Sequence, residues 1–344
     1  MDLAIVGAGA AGAAAAYALR ATDHDVTVFE KSRGVCGRAA TRRRSDCTYD
    51  HGANYVKNDS ERVTELLTET LPTEGLVAVD DPVWTFDADG RIAESDRPTE
   101  TKWSYERGIT QLAKRLFAET DAEIAFETRV GGLERTGDRW RLDDVDDDPL
   151  GSFDAVLLTP PAPQTAELLT ATTWDDPRRA ELAAAVEAVP YRTIYAVLLH
   201  YSFELDRSWY GLVNTDRGHE VGWLSREECK DGHVPDGESL LVAQMSPAWS
   251  SRRYDDPGEA VEADAAAIVA ELLGDDRLAD PDWTDRQGWR YALPDDGADT
   301  GILRQAEAHG LYFAGDWVAG DGRVHLAVES GLDAGERIAD THGS

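Results

Sequence analysis

The chain is poor in lysine, cysteine and methionine, and it has no long apolar run. Lysine stands only at positions 31, 57, 102, 114 and 230. Arginine supplies most of the positive charge; 34 basic residues face 66 acidic ones, for a net charge of −32. That field repels polyanions, so nucleic acid and anionic lipid surfaces are excluded as partners. No run of about 18 apolar residues occurs, so no membrane span is expected. The first twenty residues are apolar, but they lack a basic leading segment and carry Gly7, Gly9 and Gly12. They do not read as a signal peptide. The cysteines, Cys36, Cys47 and Cys229, form no CxxC pair and no zinc-ligand spacing, so no metal is expected. An odd cysteine count without a secretion signal fits a reducing cytoplasm.

Acid excess with scarce lysine fits adaptation to high salt. A dense carboxylate surface stays hydrated when salt screens charge over only ~3 Å. The expected source is a halophile.

What is present is enough for a full core. The chain has 344 residues, of which 42% are hydrophobic, and that length suggests two domains. Residues 2–7 read as a buried strand, 11–20 as a helix of small residues, and 25–31 as a second strand. Together they make a βαβ unit. The turn Gly7-Ala8-Gly9-Ala10-Ala11-Gly12 fits GxGxxG. Gly7 permits the tight turn, Gly9 lets a pyrophosphate approach the backbone, and Gly12 lets helix and strand pack closely. The N–H groups at the helix start, around Ala10 and Ala11, face the phosphates. Glu30 closes the second strand, where its carboxylate can accept ribose hydroxyls. This motif alone does not separate NAD from FAD.

Three further segments bear on that choice. Residues 31–43, KSRGVCGRAATRR, form a glycine- and arginine-rich loop suited to a diphosphate, followed by YDHGANY at 49–55. Residues 127–142 read as strand, turn and strand; 153–169 read as a buried strand, a proline turn and a helix. Near the end, GLYFAGD (310–316) reads as a short strand, with a last helix starting near Val324.

The set SRGVCGRAATRR, YDHGANYV, GWRYALP (288–294) and AGDWVAGDGRVHLAVESGL resembles the FAD-dependent amine-oxidase superfamily, and within it the renalase-like flavoproteins. The resemblance runs from end to end. It implies non-covalent FAD in a discontinuous Rossmann-like α/β domain (1–72, 105–172 and 305–344). An inserted α+β substrate domain (73–104 and 173–304) would contain a mostly antiparallel sheet. It also implies roles. Glu30, with Lys31 beside it, would bind the adenosine ribose; Gly37 and Arg38 would meet the diphosphate; Asn54 and Tyr55 would lie by the flavin. Val130 would reach the adenine, Gly315 and Asp316 the ribityl chain, and the helix start at Arg323, Val324 and Leu326 the flavin pyrimidine edge. The sequence departs from the family at Cys36, where a glycine is usual, at Asn54, where glutamine is usual, and at His325.

Gln287–Ala292 carries two aromatics and an arginine. It reads either as a substrate wall, with Trp289 and Tyr291 bordering a planar ring and Arg290 holding an anion, or as a strand with alternating packing. His51 is either a flavin-adjacent hydrogen bonder or a satisfied structural histidine. These four residues are the catalytic candidates. His200, at the end of an apolar strand, reads as structural. Residues 143–148, DDVDDD, read as a solvated acidic turn.

The resemblance points to an oxidoreductase in which a small substrate gives hydride to flavin N5 and O₂ leaves as hydrogen peroxide. The renalase-like branch implies dihydronicotinamide isomers, oxidised back to NAD(P)⁺. Three rivals stand: an amine oxidase or desaturase of the same fold, a binding protein that has lost catalysis, and a plain NAD-dependent dehydrogenase.

Overall fold

The computed structural model of the chain describes residues 1–96 and 98–342; residues 97, 343 and 344, which fall in the segments 73–104 and 305–344 above, lie outside them. A five-stranded parallel sheet forms the first layer. Its strands run in the order Glu123–Ala125, Asp25–Phe29, Asp2–Val6, Ala155–Leu158 and Leu311–Phe313. Its central strands are buried on both faces, which is why they read as continuous apolar runs and not as alternation.

The helix Ala10–Leu19 lies between this sheet and the last helix, Val324–His342. Both helices are small-residue where they meet. A Cβ on Gly331 would come within 2.2 Å of the Ala11 carbonyl oxygen, and one on Gly335 within 2.7 Å of that of Ala15. The alanine-rich sequence at 10–16 and the glycines at 331 and 335 are two halves of one close contact. A three-stranded antiparallel meander, Val130–Thr136, Arg139–Asp144 and Pro149–Phe153, leads into the strand Ala155–Leu158.

The second large sheet has seven strands and is antiparallel except for one pair. Its order is Trp283–Pro294, Tyr191–Tyr201, Ser239–Met245, Val221–Arg226, Gly211–Asn214, Val83–Phe86 and Ile92–Ala93. Alternation assigns its faces. Val197, Leu199, Leu241 and Ala243 pack with Val261, Ala265 and Val269 of the helix Gly258–Leu273. Ala196, Leu198, Leu240 and Val242 pack the other way, with Cys47 and Tyr49. Those two belong to a two-stranded ribbon, Thr41–Arg44 with Cys47–Asp50, that connects the loop after the glycine turn to the large sheet. The fold is thus a Rossmann-like α/β layer joined to a mostly antiparallel sheet. Among the described residues, no helix is long and apolar enough to cross a membrane.

Candidate functional site

A cleft of about 1920 Å³ runs from the glycine turn to the face of the seven-stranded sheet. That is larger than the ~300–1,000 Å³ typical of one small-ligand pocket. It has room for a dinucleotide and a second molecule.

At one end lies the glycine turn. Gly7 has φ +102° and donates its N–H to the Phe29 carbonyl at 2.8 Å. A Cβ on Gly12 would lie 2.0 Å from the Gly7 carbonyl oxygen, so Gly12 serves the packing of helix on turn. Gly9 is different. A Cβ there would meet no protein atom within 4 Å, and the residue borders the cleft. Among the described residues nothing requires Gly9 to lack a side chain; the open space beside it suits a group approaching the backbone. Ala10 and Ala11 open the helix beside it and also border the cleft.

Glu30 is buried just past its strand. One carboxylate oxygen accepts the Ala8 N–H and the other the Ser32 N–H, each at 2.8 Å. These bonds aim the carboxylate, and its remaining lone pairs can take hydroxyl donors. Lys31 reaches Gln164 at 3.3 Å. The loop then folds back over the glycine turn, with the Cys36 N–H on the Ala8 carbonyl at 2.8 Å. Cys36 is buried and sits at φ +80°, a conformation glycine takes without cost and other residues rarely adopt. Gly37 follows at φ +57°, and a Cβ there would lie 3.3 Å from the Gly9 Cα.

Arg38 and Asp316, expected to hold separate parts of a cofactor, are bonded to each other. Arg38 Nη2 lies 2.7 Å from Asp316 Oδ1, and Nη1 donates to the Ala292 carbonyl at 2.9 Å. Both border the cleft, as does Gly315, whose φ of +148° turns the chain from strand into helix. Val130 borders it at the start of the meander. At the last helix, Arg323, Val324, His325 and Ala327 line the cleft, but Leu326 does not. At 3.6 residues per turn, positions 324 and 327 share a face and 326 points away from it.

The far end is aromatic. Trp289 stacks on His51 at 5.5 Å between centroids with 8° between planes, and its indole N–H donates to the His51 carbonyl at 2.9 Å. Burial first, and Arg42 second, hold the His51 imidazole down to about 4, so it is neutral at ordinary pH. Its Nδ1 is buried without a hydrogen-bond partner, as is Nδ1 of His325, where burial again lowers the imidazole. Asn54 donates to the Asp50 carbonyl at 2.8 Å and accepts from Gln244 at 3.2 Å. Tyr55 packs edge-on to Tyr210 and tilted on Trp223. Arg290 lies 4.5 Å from the centroid of the Tyr254 ring, and Tyr291 packs edge-on to Tyr191.

Trp289, Arg290 and Tyr291 all border the cleft, which simple alternation forbids. The register explains it. Opposite Arg192 stands Leu293, but opposite Ile194 stands Trp289, so residues 290–292 bulge out of the ladder. Sequence reading missed Gln244, Trp223 and Met245, which complete the wall. The available signal was Gln244 itself, a polar residue inside the apolar strand Ser239–Met245.

Beneath His51 lies a fully buried charge cluster. Lys230 Nζ is 3.0 Å from Asp50 and 2.8 Å from Glu227, and His233 is 2.8 Å from Glu227. Burial opposes ionisation of Asp50, but Lys230 and His233 hold its carboxyl below the usual range. The cluster anchors the turn that carries His51 into the cleft.

The cleft inverts the charge of the protein around it. Among the described residues, eleven lysines and arginines border it against five acids, although the whole chain carries 34 and 66.

Comparisons agree with this fold. The fold matches a protein of Exiguobacterium sp. 255-15 assigned as a protoporphyrinogen oxidase, with TM-score 0.82 and 19% identity over 99% of both chains. It matches the cyclohexylamine oxidase of Brevibacterium oxydans IH-35A with TM-score 0.75 and 16% identity, over 100% of this chain and 99% of that one. A 4,4′-diapophytoene desaturase of Staphylococcus haemolyticus is 45% identical over 56 residues, a segment spanning 16% of this chain and 11% of the desaturase. Residues 5–70 match the NAD(P)-binding Rossmann-like domain. Residues 82–339 match the model for flavin containing amine oxidoreductases, and the chain belongs to that family.

Proposed function

We propose that the protein is an FAD-dependent oxidase acting on an anionic substrate with a planar ring, with a dihydronicotinamide dinucleotide reduced at the wrong ring carbon as the best fit. The residues present suit non-covalent FAD: the open approach at Gly9, the aimed carboxylate of Glu30, and the unpartnered Nδ1 atoms of His51 and His325. Gly7–Gly12, Glu30, Arg38, Asn54, Tyr55, Val130, Gly315, Asp316 and the helix start at Arg323–Val324 would hold it. Bound there, FAD supplies hydride acceptance from substrate and electron delivery to O₂ as hydrogen peroxide. The segments 1–72, 105–172 and 305–344 would form the FAD-binding domain, and 73–104 with 173–304 the substrate domain.

The observation that carries this reading is the cationic lining of the cleft within a strongly anionic protein. A protonated amine would be repelled by that lining, and a polyene would leave its arginines desolvated without partners. An anion gains on both counts. Trp289, fixed by His51, offers a flat wall for a ring; Arg290 offers a charge from the adjacent bulge. His51, held neutral, adds no charge beside the ring. The carboxylated tetrapyrrole implied by the Exiguobacterium neighbour's assignment is a second anionic ring that such a lining accepts.

The test is reduction without oxygen. Dihydronicotinamide isomers should bleach the yellow protein rapidly, while ordinary NAD(P)H and cyclohexylamine should not. Bleaching by the amine alone would overturn the anionic reading; bleaching by protoporphyrinogen alone would keep the charge argument and replace the substrate.

A further inference from the structure

On the large sheet, away from the cleft, the fold assembles a second cluster of ligating groups. The Cys47 thiol, His200 Nε2 and a Glu238 carboxylate oxygen lie within 4.8 Å of one another, and none of the three residues borders the cleft. Cys47 and His200 are buried, and Glu238 is half-buried. His200 Nε2 is 2.8 Å from Glu238 Oε2. The ring is held by stacking on Trp283, at 4.8 Å between centroids and 9° between planes.

The other ring nitrogen supplies an independent observation. His200 Nδ1 is buried, makes no hydrogen bond, and faces Asp282 Oδ2 at 3.8 Å. A histidine with one nitrogen among ligating groups and the other toward a carboxylate has the arrangement that orients metal-binding imidazoles. Other charges nearby are mostly acidic: Asp46 and Glu228 flank the sulfur, while Arg44 lies over the Trp283 ring. Glu228 is itself paired with Arg226.

We propose that Cys47, His200 and Glu238 bind a divalent cation of the zinc class. One thiolate, one imidazole and one carboxylate make a zinc donor set, with water in the fourth tetrahedral position. The two anionic ligands balance the dication. Binding displaces the thiol proton into solvent and leaves the neutral imidazole with its proton on Nδ1, toward Asp282. A catalytic thiol is the weaker reading, because Cys47 is buried and does not border the cleft. The cation would pin the strand Cys47–Asp50, which leads to His51, against the end of the strand Tyr191–Tyr201.

The test uses the purified, chelator-treated flavoprotein titrated with Co²⁺ and then Zn²⁺, followed by difference spectra. One equivalent of Co²⁺ should produce a thiolate-to-cobalt charge-transfer band and four-coordinate d–d bands, all displaced by Zn²⁺. Cys47→Ser should abolish the thiolate band, and Glu238→Gln should weaken affinity by about tenfold or more. Cobalt uptake without a thiolate band, or a band unchanged in Cys47→Ser, overturns the proposal. A second arm needs no variant. Zn²⁺ should slow alkylation of Cys47, read peptide by peptide, and leave Cys229 unchanged; equal rates with and without Zn²⁺ also overturn it.

Discussion

Arg38 Nη2 and Asp316 Oδ1 meet at 2.7 Å across 278 positions of sequence. This pair joins the loop after the second strand to the turn after the last one. Each residue was expected to hold a cofactor separately, and the structure makes each the other's support. Asp316→Asn should therefore do two things at once. Breaking a fully buried pair costs about 3–5 kcal/mol. Arg38 is 27% exposed, so the loss should be nearer about 2 kcal/mol in denaturant unfolding. The variant should also purify with a lower flavin-to-protein absorbance ratio; a full flavin complement would sink the assignment of this pair to the cofactor site.

Gly9 and Gly12 separate ligand space from packing. Gly9→Ala meets no protein atom, so its melting temperature without flavin should match the parent while flavin affinity falls. Gly12→Ala drives a methyl toward the Gly7 carbonyl and should cost about 1–3 kcal/mol whether or not flavin is present. The reverse pattern in thermal melts and flavin titrations would refute the division.

His51 sets an acid limit. Its imidazole is held at about 4 when folded against 6.5 when exposed. Between those values the unfolded chain binds a proton that the native state refuses. Stability linked to His51 is intact above pH 6.5, falls as the pH drops through that window, and is lost by about pH 4, a total of roughly 3 kcal/mol. His51→Gln should flatten the slope of unfolding free energy against pH there. Parallel slopes would show that other groups carry it.

Lys230 neutralises two buried carboxylates. Lys230→Met leaves Asp50 and Glu227 facing each other without it and should cost about 3–5 kcal/mol. Adding Asp50→Asn to that variant should recover part of the loss in a double-mutant comparison. Additive losses would mean that the charges are not coupled.

The acidic surface predicts a salt response. With a net charge of −32, raising salt from about 0.1 M to about 1 M shortens screening from ~10 Å to ~3 Å and relieves self-repulsion. The melting temperature should rise over that range, in KCl and in NaCl alike. A flat or falling curve would remove self-repulsion as a determinant of stability.

The βαβ unit was legible because its determinants are local. Gly7, Gly12 and Glu30 lie within one turn and two strands, and the structure gives Gly7 a positive φ and Gly12 a contact that admits no side chain. Cys36 was legible as an oddity against the glycine that the resemblance implies there, and its φ of +80° is a conformation that favours glycine. The pairing of Arg38 with Asp316 was not legible, since it depends on how distant segments close. Nor was the bulge at 290–292, because register is set by the partner strand and not by the segment itself. The cluster of Cys47, His200 and Glu238 escapes any spacing rule for the same reason.

The parallel sheet has a consequence for how the chain is made. Its edge strand, Leu311–Phe313, pairs with Ala155–Leu158, and the helix that covers Ala10–Leu19 begins only at Val324. At ~5–20 residues per second, the ribosome delivers these pieces roughly 15–60 s after the first strand. Until then the alanine face of the first helix has no cover, and Arg38 waits for Asp316. The cleft proposed for the flavin therefore closes late in synthesis, so a flavin bound there would act as a final lock on the fold but not as a guide for its early steps.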